Sequence, residues 1–152
     1  MLRDHSWCST QGTYVMRNRR EQGQPSKYFM EVELQFKFPD TMGTNIAIAR
    51  QYENYGKAQF STENSFCLHA FDGNLYSKGV NGRKYFDREL ESGDRVGIFF
   101  DMEQGTIEFA LNGERNGVAF HEEALTEGEY YLTVIQYYME QECRIVAPQP
   151  RQ

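Results

Sequence analysis

Within the strand-like run 28–38, apolar and polar side chains alternate without a break from Met30 onward. Met30, Val32, Leu34, Phe36 and Phe38 fall on one face, and Glu31, Glu33, Gln35 and Lys37 on the other. A period of two means a strand with one face in a core and one in water, and Pro39 with Asp40 ends it. The period returns over 95–101, where Val96, Ile98 and Phe100 share a face, and over 106–111, where Ile107, Phe109 and Leu111 alternate with Thr106, Glu108 and Ala110. Gly105 supplies the turn between them. Asn112-Gly113 predicts a type I′ hairpin, because both central residues of that turn need positive φ. Shorter apolar runs mark further strands at 46–49, at Phe66, Leu68 and Ala70 before the turn pair Asp72-Gly73, and over 130–138 and 143–147. Helix is expected only around 86–90 and 122–125, too short to make a layer. Parallel strands need crossovers of about a dozen residues, and that space is missing. The fold class is therefore all-β, a sandwich or barrel.

Composition narrows this. A chain of 152 residues fits one domain, and 39% hydrophobic with 14% aromatic content excludes disorder of the whole. Sixteen basic against 22 acidic residues give a formal charge of -6, which opposes non-specific binding to nucleic acid or anionic membrane. Cys8, Cys67 and Cys143 are dispersed and odd in number, so they read as reduced thiols rather than a disulfide framework. That implies an intracellular setting, cytoplasmic or nuclear. The first 13 residues hold no apolar run that would serve as a signal peptide, and no stretch approaches the ~20 apolar residues that span a bilayer.

The chemistry-bearing residues form no catalytic pattern. Neither a phosphate-binding glycine loop nor a nucleophile elbow is present. His5 lies near Cys8, but a structural zinc site needs four ligands, and Cys67, His69, His121 and Cys143 follow no ligand spacing. Cys67 and His69 share a strand face, which predicts a buried, satisfied histidine beside a core cysteine. Asp94 and Asp101 flank a strand without EF-hand spacing and read as ties for turns. Trp7, the one tryptophan, either packs a terminal strand or stands as an exposed anchor. No catalytic residue, metal or cofactor is expected.

The order of motifs resembles a SPRY domain, the module also found as the larger part of B30.2 domains. Tyr28-Phe29-Met30-Glu31-Val32-Glu33 is similar to the family's aromatic-x-Glu-Val strand, and Ile46-Ala47-Ile48-Ala49 to its IGVA strand, with Ala47 where glycine is common. Ser65-Phe66 through Asp72-Gly73 and Tyr76 resembles the strand and turn that follow. The most specific block is Gly93-Asp94-Arg95-Val96-Gly97-Ile98-Phe99-Phe100-Asp101, continuing through Gly105-Thr106-Ile107-Glu108-Phe109-Ala110-Leu111-Asn112-Gly113 to Gly117-Val118-Ala119-Phe120. Residues 130–135 match a late strand without its usual proline, and no full PRY segment precedes the block. The resemblance implies two packed antiparallel sheets over 27–147. Residues 1–26 form an N-terminal segment, completing the sandwich with a terminal strand and basic loop or hanging off it, and 148–152 a flexible tail.

The resemblance also implies a pocket made by loops at one edge of the sandwich. Its arginine maps to one of Arg17, Arg19 or Arg20. Its first aromatic maps to Tyr52 or Tyr55, beside Arg50, and its second to Tyr137 or Tyr138. Tyrosine brings a rigid ring with a polar handle and arginine a planar fork of donors, so the two together anchor interfaces well. The expected function is a non-catalytic protein-interaction module that binds a short peptide or a partner surface, within a larger protein or complex. The alternatives are a structural subunit of an assembly and an RNA-associated accessory domain, in which the arginines meet phosphates and the tyrosines stack on bases. No membrane partner is expected.

Overall fold

The computed structural model describes residues 8–35, 44–51, 65–136 and 142–150, with 8–10 and 142–150 as backbone. Twelve strands lie among them: β1 (Cys8–Gln11), β2 (Met16–Arg17), β3 (Lys27–Gln35), β4 (Thr44–Ala49), β5 (Ser65–His69), β6 (Asn74–Ser77), β7 (Val80–Lys84), β8 (Arg95–Asp101), β9 (Thr106–Leu111), β10 (Glu114–His121), β11 (Glu129–Gln136) and β12 (Glu142–Pro150). One sheet runs β1-β11-β4-β5-β6-β7, with β2 also paired to β11, and the other runs β10-β9-β8-β3-β12. Every ladder is antiparallel, so the all-β sandwich expected from the alternation is the fold observed.

The alternation of β3 does what it predicts. Tyr28, Met30, Val32 and Leu34 are buried, and the residues between them are partly exposed. Phe36 and Phe38 lie outside the described residues. With Val96, Ile98 and Phe100 of β8 and Ile107 and Phe109 of β9, Tyr28, Met30, Val32 and Leu34 face Ile46, Ile48, Phe66, Leu68, Leu75, Tyr130 and Leu132 of the other sheet. Each large apolar side chain buried this way contributes about 1.5–3 kcal/mol. Edge-on rings cross between the sheets, Phe100 against Tyr130 at 5.4 Å and Phe66 against Phe120 at 5.3 Å. The Asn112-Gly113 turn has positive φ at both residues, 52° and 86°.

Two expectations needed correction. Residues 86–90 do not form a helix. Their backbone donors go to tertiary acceptors, Phe86 N–H to Gly73 O at 2.9 Å and Leu90 N–H to Ala70 O at 2.8 Å, while both side chains enter the core. The second short helix exists as a 3-10 turn, Glu123–Thr126. Ala110, read on the wet face of β9, is only 3% exposed. The outer face there carries Phe29 packed on Phe99 at 4.9 Å, and a Cβ at Gly97 would stand 3.2 Å from the Phe29 ring and 3.4 Å from Ala110.

The sandwich opens between the edge strands β7 and β10, and side chains tie that opening shut. Arg83 donates to Ala119 O, and Asn116 Nδ2 donates to Tyr85 O at 2.7 Å. The Tyr85 hydroxyl lies 2.6 Å from Gly117 O and 2.9 Å from Phe109 O.

Candidate partner-binding site

The basic run predicted to form a polar loop leaves the sheet directly after β2, where Arg17 pairs with Glu129 and Met16 with Tyr130. A 3-10 turn, Arg20–Gln22, follows, and Gly23 reverses the chain at φ 68°. That left-handed conformation is routine for glycine and costly for most other residues. It lets Gly23 N–H donate to Arg20 O at 3.0 Å and Gln24 N–H to Arg19 O at 3.1 Å, so residues 22–24 return alongside 17–19.

Asn18 holds this loop on the sandwich. Its Nδ2 donates to Met102 O at 3.0 Å and Thr126 O at 3.1 Å, while its Oδ1 accepts from Arg20 N–H at 3.0 Å and the Ser26 hydroxyl at 3.1 Å. Ser26, fully buried, accepts in turn from Arg19 N–H at 2.6 Å. The Tyr28 hydroxyl, reaching from β3, donates to Arg17 O at 2.6 Å and accepts from Arg17 N–H at 3.2 Å. The loop is thus fixed by side chains whose partners lie on distant segments.

On this frame Arg17, Asn18, Arg19, Gln22 and Gln24 line a surface cavity of about 370 Å³. Arg17 gives one guanidinium nitrogen to Glu129 at 3.0 Å, both side chains being about half exposed. The guanidinium groups of Arg19 and Arg20 have no hydrogen-bond or ion-pair partner among the described residues. Arg50 stands apart from this cavity. It reaches Ala124 O at 3.3 Å and Glu127 O at 3.4 Å and lies 4.6 Å over the Tyr130 ring, with Gly128 so close that any Cβ there would strike it. Tyr52, Tyr55, Tyr137 and Tyr138 lie outside the described residues, as do His5 and Trp7. An aromatic that the sequence reading passed over is Tyr14, 40% exposed and edge-on to Tyr28 at 6.2 Å. Its only signal was an aromatic ring three residues before Arg17.

Elsewhere the polar residues serve the fold. Asp94, 8% exposed, accepts from the Arg88 fork at 2.9 and 3.1 Å, from Asn112 Nδ2 at 2.9 Å and from Glu91 N–H at 2.7 Å. Burial works to raise its pKa, but these donors outweigh it and hold the carboxyl below its ordinary value. Asp101 accepts from the N–H groups of Glu103 and Gln104 at 2.9 and 3.0 Å, so both aspartates tie turns. Burial pushes the Cys67 thiol far up, away from the thiolate form. His69 is less satisfied than expected. Its Nδ1 stands 3.5 Å from Asp72 Oδ2, and neither buried ring nitrogen makes a hydrogen bond. No group of three or more His, Cys, Asp or Glu among the described residues is placed to hold a metal ion. No helix among them is long and apolar enough to cross a membrane.

Comparison with known proteins agrees with this architecture. The SPRY domain family model matches residues 27–150. The crystal structure of the SPRY domain of human HERC1 is similar at a TM-score of 0.70 and 21% identity, covering 92% of this chain and 82% of that one. A crystal structure of a human SPRY domain is similar at a TM-score of 0.68 and 20% identity, covering 92% and 84%. Among curated proteins nothing matches.

Proposed function

Because the chain belongs to the SPRY domain family, whose members generally serve as non-catalytic protein-interaction modules, we propose that it binds a short peptide or a partner surface through the basic loop between β2 and β3. One observation carries this reading. Arg17, Arg19, Gln22 and Gln24 surround a cavity on a loop that Asn18, Ser26 and Tyr28 hold in place. Fixing the backbone that carries the donors before the partner arrives removes part of the ordering entropy that binding otherwise costs. Arg17 and Arg19 offer planar forks suited to carbonyl and carboxylate oxygens. Tyr14, exposed one ring away from the Tyr28 tie, adds apolar area at low entropic cost.

The test is selection of peptides from a random phage-displayed library on the 152-residue chain, with affinities then measured for the wild type and an Arg17→Glu/Arg19→Glu variant. Selected peptides should bind the wild type and lose roughly tenfold or more on the variant, about 1.4 kcal/mol. The melting temperature should barely move, because the one ion pair lost is exposed. Equal affinity for both proteins would show that the partner binds elsewhere.

A further inference from the structure

We propose that the cavity of the β2–β3 loop receives a phosphoryl group, so that the preferred partner is a peptide carrying a phosphorylated side chain. This rests on the loop being the binding site, and it specifies the chemistry of the anchor.

Charge is the first argument. The chain as a whole is acidic at -6, yet residues 17–24 hold three arginines against one glutamate. That glutamate, Glu21, is not among the walls of the cavity, and no other carboxylate is either. A basic pocket in an acidic domain focuses attraction on one spot and leaves the rest of the surface repelling a polyanion. A long nucleic-acid backbone fits that distribution poorly, whereas a single compact dianion fits it well.

Donor chemistry is the second. The cavity is lined by Arg17 and Arg19, whose side chains end in guanidinium groups, and by Gln22 and Gln24, whose side chains end in amides. Of these side chains, only Arg17 has a partner among the described residues, Glu129 at 3.0 Å, and that pair is exposed. Arg19 is partly buried and its guanidinium meets no acceptor among the described residues. A carboxylate has two oxygens for this set, while a phosphoryl group presents three strong acceptor oxygens and about two negative charges. Arginine clusters recognise phosphorylated motifs by such forked bonds. Geometry is the third argument. Gly23 brings Gln22 and Gln24 back beside Arg17 and Arg19, and Asn18 prevents the loop from relaxing away from that arrangement. Donor-bearing residues of the outgoing segment and of the returning one then line a common volume.

The experiment is a titration of the isotopically labelled 152-residue chain, followed by NMR at the side-chain N–H groups of Arg17, Arg19, Arg20, Gln22 and Gln24. The probes are inorganic phosphate, sodium chloride at matched ionic strength, and three blocked tripeptides with phosphoserine, serine or glutamate in the centre. Saturable shifts at these groups with phosphate, and phosphoserine tighter than glutamate by roughly tenfold, would support the proposal. Arg19→Lys should weaken phosphoserine by at least roughly threefold while the fold's spectrum is unchanged, since an ammonium cannot fork. Shifts that track ionic strength, or glutamate binding as well as phosphoserine, would overturn it. Phosphate binding with no gain for the phosphoserine tripeptide would also overturn it, pointing to a free anion. If selected peptides still lose affinity on the Arg17→Glu/Arg19→Glu variant in any of those cases, the loop remains the binding site and only the phosphoryl anchor falls.

Discussion

Replacing Asn18 by alanine tests whether the loop is held from within the sandwich. The substitution removes four hydrogen bonds: two to the carbonyls of Met102 and Thr126, one from Arg20 N–H and one from the Ser26 hydroxyl. At about 1 kcal/mol net for each bond the loss would be about 4 kcal/mol. The site is only partly buried, so water recovers some of this, and we expect about 2–3 kcal/mol. For a domain of this size that corresponds to a fall of roughly 4–12 °C in Tm. Urea unfolding should show a lower midpoint with unchanged slope, because the surface exposed on unfolding is the same. Asn18→Asp sharpens the test. It keeps an acceptor for Arg20 and Ser26 but turns the amide into a carboxylate oxygen facing two carbonyls. It should therefore cost at least as much as alanine at neutral pH and recover stability as the carboxyl is protonated in acid. If both variants lose less than about 0.5 kcal/mol, the hydrogen bonds of Asn18 do not fix the loop, and the preformed pocket has no physical basis.

Three further outcomes are expected. Gly73→Ala should be far more damaging than Gly113→Ala by thermal denaturation. Both have positive φ, but a Cβ at Gly73 would stand 2.5 Å from Arg88 O and 2.9 Å from Phe86 Cβ, whereas Gly113 faces open space; we expect about 3 kcal/mol or more against about 1 kcal/mol. Asp94 has a folded-state pKa held below 3.8, so its contribution is present above that value and is lost as pH falls through the folded pKa; Asp94→Asn should flatten the acid limb of a stability-versus-pH curve measured in urea. Burial lowers the pKa of His69 from 6.5 against the opposing pull of Asp72. The unfolded chain therefore binds this proton more readily, and stability should decline as pH drops below 6.5, a slope that His69→Gln should reduce and that the imidazole titration by NMR should match with a midpoint under 6.5.

What the sequence revealed depended on how local the determining interactions are. β3, β8 and β9 were legible because period-two burial is written in consecutive residues, and the Asn112-Gly113 turn because its dihedral requirement falls on two adjacent positions. β1 and β2, four and two residues long, carry no pattern of their own and exist because β11 offers them a ladder. β7, with the sequence Val-Asn-Gly-Arg-Lys, is a polar edge strand that alternation does not find. Residues 86–90 misled because Phe86 and Leu90 stand four apart, as on a helix face, while their N–H groups bond to residues 70 and 73. At the site, the arginines were visible as a basic run, but the ties from Asn18 to Met102 and Thr126 and from Tyr28 to Arg17 join residues 11 to 108 positions apart. The role of Arg50 in clasping the turn at 123–128 depends on contacts of the same long range.

β11 receives β1 and β2 end to end along one flank while β4 occupies the other. A recombinant fragment trimmed to the start of the family match at residue 27 would strip that flank. Eight residues of β11 would then offer an open row of amides and carbonyls, an invitation to cross-molecule pairing and precipitation. The same cut would discard Arg17 and Arg19, so a negative binding result from such a fragment would speak about the trimming and not about the domain.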